Sequence, residues 1–345
     1  MSLRSEIFEQ PSVLARLLET QAGPARAIAA EVRRRGVGWV LVAARGSSDN
    51  AALYAKYLWG SWNGLAVALA TPSLFTLYRT PPRLAGALVV GISQSGRSPD
   101  IVSVLAEGRR QGALTLAITN DPASPLAAEA ALVLDTCAGP ELAIAATKTY
   151  TAQLLAIALL AAAMRGDGDP SAELERLPAL VGEALGLDST IAEAAGRYPA
   201  MTQCVVLGRG FNYATAYEWS LKLKELTYVI AEPYSSADFR HGPVAIVSRG
   251  FPILAVAPGG AVFADLLALL AELVAEQGAE LVAISDQEPA LNLARTPLRL
   301  PAGLPEWLSP LVSIVPAQLF SYHLARAMGH DEEAPRGLRK VTRTW

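Results

Sequence analysis

Cysteine and histidine are scarce in this chain of 345 residues, with two of the first and three of the second. Cys137 and Cys204 sit in unrelated contexts, with neither metal-ligand spacing nor a disulfide framework, so a reducing cytoplasm is expected. Basic runs are missing outside the last few residues, and the net charge is −3, which argues against nucleic acid or an anionic membrane as partner. The N-terminus carries Glu6 and Glu9 in place of an apolar signal core. The apolar stretch Leu154 to Met164 is shorter than the roughly 20 residues a membrane span needs. Lys148, Thr151 and Gln153 precede it, and Arg165 and Asp167 follow, so it reads as a buried helix. No P-loop lysine is present, and Gly208-Arg209-Gly210 lacks the third glycine of a dinucleotide fingerprint. No metal and no cofactor are therefore expected.

What the chain has in abundance is apolar residues, 52% against 18% charged, enough for about two cored domains. Ser5 to Arg35 reads as helix, punctuated by Pro11 and by Gly23-Pro24. Strands are expected at Trp39–Ala44, Ala66–Ala70, Ala87–Ile92, Leu114–Ile118 and Ala131–Leu134, with a helix from Asn50 towards Trp59. These strands are continuous apolar runs rather than alternating ones, the pattern of a parallel sheet covered on both faces. The polar break Arg165 to Pro170 marks a boundary, and a helix from Ala172 to about Ala195 leads into a second unit. Its strands are expected at Cys204–Leu207, Pro252–Val256 and Glu280–Ile284. The units resemble each other: Val42-Ala43-Ala44-Arg45-Gly46 matches Val206-Leu207-Gly208-Arg209-Gly210, and Leu116 to Asn120 matches Val282 to Asp286 at nearly constant spacing. The expected fold is α/β, two tandem doubly wound domains. Divisions are expected at 1–35 (helical segment), 36–165 (first domain), 166–329 (linker helix and second domain) and 330–345 (tail).

The stretch Gly91-Ile92-Ser93-Gln94-Ser95-Gly96-Arg97-Ser98 carries the strongest chemical signal. It joins a buried strand to a helix opening at Pro99. Helix N-terminal N–H groups lack intrahelical partners, and the helix dipole favours an anion there. Ser93, Gln94, Ser95 and Ser98 add side-chain donors, so a single phosphate monoester is the natural ligand. The competing reading is ordinary turn chemistry. In the second unit the matching positions are Ala257-Pro258-Gly259-Gly260, which bear no hydroxyl, so one phosphate site per chain is expected. Arg45 either adds charge to the site or faces solvent. Glu218, Lys222 and Glu225 are spaced four and three apart and share a helix face. Such spacing usually marks a solvated ion-pair face, but this helix follows a glycine-rich strand end, where α/β folds place ligands.

These motifs resemble the tandem sugar isomerase (SIS) domains, in particular the isomerase part of glucosamine-6-phosphate synthase, over nearly the whole chain. The resemblance rests on Glu6 to Pro11, the Ser93-Gln94-Ser95-Gly96 loop, Glu141 to Thr149, Glu218 to Glu225, Phe239 to Pro243 and Pro335 to Thr342. It implies a phosphate held by Ser48, Ser93, Gln94, Ser95 and Ser98, with Gly46, Ser47, Ile144, Glu218 and Lys222 lining the substrate site. It also implies three catalytic residues. Glu225 is the base moving a proton between C1 and C2. His241 is the ring-opening acid or base, supplied by the neighbouring subunit of a homodimer. Lys340 reaches the open-chain sugar and forms a Schiff base with a ketose carbonyl. His323 and His330 are expected to be structural. Two departures stand out. Arg45-Gly46-Ser47-Ser48 replaces a Cys-Gly-Thr-Ser pattern, and Ala146 replaces a serine. With no glutaminase domain ahead of it, the chain looks like the glutaminase-free members, the SIS-type glucosamine-6-phosphate deaminases and deglycases. The implied reaction is glucosamine 6-phosphate to fructose 6-phosphate and ammonia. A ketosamine-6-phosphate deglycase, another aldose–ketose isomerase and a non-catalytic sugar-phosphate sensor are the alternatives.

Overall fold

The computed structural model describes residues 2–165, 168, 170–342 and 344. The chain forms two compact units. The first comprises Ser12–Glu141, Lys148–Glu175 and Arg339–Trp345; the second comprises Met1–Pro11, Leu142–Thr147 and Arg176–Leu338. The polar break at 166, 167 and 169 lies outside the described residues.

The first unit is built on five parallel strands: β1 Trp39–Ala43, β2 Ala66–Leu69, β3 Ala87–Ser93, β4 Leu114–Thr119 and β5 Leu132–Asp135. Their order across the sheet is β2-β1-β3-β4-β5. Every residue of the central β3 is buried. Its neighbour β1 pairs Val42 with Val90, and β4 pairs Thr119 with Ser93. Valine and leucine covered on both faces explain the unbroken apolar runs of β1, β3 and β4. The helix Lys148–Met164 is buried along most of its length, and its Ile157 carbonyl accepts the Trp59 indole N–H at 3.2 Å. Among the described residues no helix is long and apolar enough to cross a membrane.

The second unit repeats the plan with β6 Gln203–Gly208, β7 Ile230–Ser235, β8 Pro252–Val256, β9 Glu280–Ser285 and β10 Thr296–Arg299, in the order β10-β9-β8-β6-β7. All pairings are again parallel. Two of these strands, β7 and β10, are additional to those expected from sequence. Both lie at sheet edges and carry a proline, Pro233 and Pro297, which an edge strand tolerates because one side needs no ladder hydrogen bond. Their partial exposure also breaks the apolar run that marks the inner strands. Helix Tyr213–Thr227 packs against helix Ser309–Ala327, with Trp219 and Phe320 ring centroids 5.7 Å apart and edge to face. His323 Nε2 lies 2.7 Å from Asp188, which Arg4 also holds. Burial works against the Asp188 charge, but hydrogen bonds from Arg4 and His323 hold its carboxyl below the usual range.

Three helix boundaries differ from expectation. The helix after β1 opens at Ser47 rather than Asn50, which puts Ser47 and Ser48 in its first turn. The stretch after the polar break is two helices, Ser171–Leu185 and Asp188–Ala195, not one. At the N-terminus Leu3–Phe8 and Gln10–Arg34 are separate helices, and Pro24 lies inside the second without ending it.

Candidate active site

In both sheets the strand order reverses once, between β1 and β3 and again between β6 and β8. The crevice beyond the carboxyl ends of strands at such a switch point is where open α/β sheets bind ligands. At the first switch point two helix N-termini follow the two strands, Ser47–Asn63 after β1 and Pro99–Arg110 after β3. Together they form a region of positive backbone dipole. The loop after β3 turns back at Gly96, whose φ of 61° and close approach to Ser124 Oγ (2.1 Å from a Cβ placed there) exclude any side chain. Ser93 Oγ accepts the Gly96 N–H at 3.1 Å, and Leu126 N–H donates to the Gly96 carbonyl at 3.0 Å, so the turn is tied down from both sides. Ser98 occupies the N-cap position and makes no side-chain capping bond. Ser48 is buried and accepts from Gln153 Nε2 at 3.0 Å, which leaves its own O–H as a donor. Gly46, φ 55°, precedes Ser47 at the helix start. Gln94 and Ser95 are half-buried in the same loop.

Arg45 pairs with Asp100. The carboxylate is wholly buried in the first turn of the helix after β3 and accepts Arg45 Nε at 2.9 Å. Thr344 Oγ1 donates to the same carboxylate at 2.8 Å. Arg45 is otherwise half exposed. Beside it, burial raises the Asp49 carboxyl above its usual range, with Arg45 pulling the other way. Lys340 Nζ lies 2.6 Å from Glu141 Oε2, a side chain with no exposure. Glu141 also accepts the Thr149 N–H at 3.1 Å and hydroxyl at 2.8 Å. For Lys340 to attack a carbonyl it must leave Glu141.

In the second unit, Glu218, Lys222 and Glu225 form one ion-pair array on helix Tyr213–Thr227. Lys222 Nζ lies 3.4 Å from Glu218 and is bonded to Glu225. Glu218 and Lys222 are fully buried, whereas Glu225 is 22% exposed. A solvated ion-pair face would leave all three in water, so that reading does not hold. Burial of the first two makes the Glu225 carboxylate the accessible end of a charged array. His241 ends the short helix Ser236–Arg240 and is exposed. Its backbone N–H donates to Asp238 O at 3.0 Å, and its ring makes no hydrogen bond among the described residues. Ile144 is half-buried in a segment pinned by Glu6, whose carboxylate accepts the Ala143 N–H at 3.2 Å. His330 rests against Tyr228, ring centroids 4.7 Å apart. Asp100, Glu141 as an anchor, Gln153 and Tyr228 were not singled out from sequence; nothing in their neighbours' identities announces their burial or contacts. Among the described residues no group of three or more His, Cys, Asp and Glu side chains is placed to hold a metal.

Residues 37–163 and 200–328 each match the SIS domain model. The glutamine–fructose-6-phosphate aminotransferase (isomerizing) of Gloeobacter violaceus is 36% identical, over 97% of this chain and 57% of that protein. This chain thus spans little more than half the length of such curated relatives. The C-terminal domain of glucosamine-fructose-6-phosphate aminotransferase from Francisella tularensis superposes with a TM-score of 0.87 at 30% identity, covering 95% of this chain and 96% of that one. Glucosamine-6-phosphate deaminase from Thermotoga maritima shares the fold over all of both chains, with a TM-score of 0.78 at 22% identity.

Proposed function

Since this chain belongs to the SIS domain family, we propose that it is an amino-sugar phosphate deaminase and isomerase, converting glucosamine 6-phosphate and water to fructose 6-phosphate and ammonia. The observation that carries the proposal is the buried Glu218–Lys222 pair ending in an accessible Glu225. A sugar-phosphate sensor needs a phosphate cradle but has no use for such a base.

The phosphate sits on the donors of the first switch point, Ser93, Gln94, Ser95, Ser98 and Ser48, above two helix N-termini. His241 opens the sugar ring by moving a proton between the C1 hydroxyl and the ring oxygen. Glu225 takes the proton from C2, giving an enolamine, and returns it to C1, giving the C2 imine. One carboxylate serves both transfers, since the proton it takes is the one it gives back. Water adds to C2, and the C–N bond breaks with loss of ammonia. Lys340, once free of Glu141, reaches the open-chain sugar. The exposed, unbonded ring of His241 suits a group that acts in a neighbouring subunit, so the working form is a homodimer with shared sites.

A second reading draws on Arg45. Only its Nε is taken by Asp100, so its terminal nitrogens can hold a carboxylate on the nitrogen substituent of a ketosamine 6-phosphate, making the enzyme a deglycase. Ammonia or amino-acid release from glucosamine 6-phosphate, galactosamine 6-phosphate and fructosyl-amino acid 6-phosphates separates the two. Tight binding with no turnover of any would replace the enzyme with a sensor. Glu225→Gln is expected to bind substrate normally and to lose roughly 10²- to 10⁴-fold in turnover; full activity would refute the base assignment. Mixed dimers of Glu225→Gln and His241→Ala chains should regain activity if sites are shared.

A further inference from the structure

Tyr228 caps the helix that carries Glu225, and it does so in the left-handed conformation, φ 60° and ψ 14°. That position is usually glycine, because a bulky side chain there is strained. Strain of this kind persists where the side chain has a task. Here the side chain gathers the segment leading to the C-terminus. The Tyr228 hydroxyl accepts the Arg336 backbone N–H at 3.0 Å. The Arg336 guanidinium stacks on the ring, 4.0 Å from its centroid, and His330 packs against it at 4.7 Å. Upstream, Glu333 accepts the Leu3 N–H at 2.8 Å. Residues 336–339 are exposed, so little else fixes the chain between Arg336 and Lys340.

We infer that Tyr228 is a positioning residue: it seats Arg336 and so fixes the point from which the chain runs on to Lys340. The inference rests on the reading of Lys340 as a residue of the reaction. A glycine at 228 would relieve the backbone and free the segment from Arg336 to Arg339, leaving Lys340 with Glu141 as its anchor. Structure and activity should then part company, which a merely structural role does not predict.

Three variants of the full chain test this: Tyr228→Gly, Tyr228→Phe and Lys340→Ala. Tyr228→Gly should melt no lower than the parent, yet trypsin should cut faster after Arg336 and Arg339. Its kcat should fall roughly tenfold to a hundredfold, the cost of ångström-scale misplacement of a reacting group, with KM little changed. Tyr228→Phe keeps the stacked guanidinium and should recover most of that loss. Unchanged tryptic cleavage in Tyr228→Gly overturns the seating. Faster cleavage with unchanged kcat overturns the link to catalysis. If Lys340→Ala is fully active as well, the reading of Lys340 is what has failed.

Discussion

At the first switch point the loop after β3 presents Ser93, Gln94, Ser95 and Ser98 beside two helix N-termini, whereas at the second the same loop after β8 is Ala257-Pro258-Gly259-Gly260 and is closed by the protein's own carboxylates. The Gly259 N–H donates to Asp286 Oδ1 at 2.7 Å. The Glu306 carboxyl presses on Gly260, so closely that an added Cβ would lie 2.1 Å from its Cδ. The space left among Arg209, Phe211, Asn212, Pro258, Val262 and Glu306 is about 10 Å³, room for one water at most. Both switch points keep an arginine after the first strand, paired with an aspartate in the first turn of the helix that follows the neighbouring strand β3 or β8: Arg45 with Asp100, Arg209 with Asp265. The shared clasp holds the two loops together in each unit. The loops differ in their side chains: hydroxyls and an amide in the first, none in the second. The two units thus share a scaffold, while in the second the loop is filled by Asp286 and Glu306.

The largest test of this contrast is at the two turn glycines. In Gly96→Ala the new methyl meets Ser124 Oγ at 2.1 Å and Cβ at 2.4 Å, on a fully buried serine that cannot swing away. With the left-handed φ added, a loss of about 3–5 kcal/mol or failure to fold is expected. Gly260→Ala meets only the far end of Glu306, which can rotate out, so only the backbone strain of about 1–3 kcal/mol should remain. Equal losses in denaturant unfolding would mean the loops are not differently built.

The second test concerns the hydroxyls. Ser95→Ala should weaken binding of a sugar phosphate by roughly tenfold to a hundredfold, the worth of one hydrogen bond to a charged group. Ser93→Ala should cost as much and also loosen the turn, since Ser93 Oγ holds the Gly96 N–H. The reciprocal change, Ala257→Ser, should create no binding, because Asp286 already occupies the Gly259 N–H. Calorimetry should count one phosphate per chain; two would undo the contrast.

How much of this was legible beforehand depended on whether the cue was local. The inner strands announce themselves as unbroken apolar runs because both their faces are covered. The edges β7 and β10, half exposed and interrupted by Pro233 and Pro297, do not. The Ser93–Ser98 loop is visible because strand, glycine turn and Pro99 helix start follow in order. The array on helix Tyr213–Thr227 is visible only as spacing. Four-and-three spacing looks the same in water and in a core, and packing alone decided that Glu218 and Lys222 are buried. Asp100 and Glu141 are likewise acidic residues whose complete burial depends on residues distant in sequence. Tyr228 carries no glycine or asparagine to flag its left-handed backbone.

The smallest effect separates the two arginine clasps. Asp265 is 52% exposed, so in Arg209→Ala water replaces the lost partner, and the cost should stay below about 1 kcal/mol, as for exposed ion pairs. Asp100 has no exposure. Among the described residues, Arg45→Ala strands its charge in the interior with only Thr344 and the Ile101 N–H as donors, and the cost should reach about 1–3 kcal/mol. The stranded carboxylate also lies in the first turn of the helix whose N-terminus is the proposed phosphate cradle. Sugar phosphate should therefore bind more weakly to Arg45→Ala, while Arg209→Ala leaves binding untouched. Neutralising the partner decides the cause. If repulsion by Asp100 is responsible, Arg45→Ala with Asp100→Asn binds better than Arg45→Ala alone. If Arg45 contacts the ligand directly, the second substitution restores nothing, and the first clasp is then part of the binding site rather than a brace that both units share.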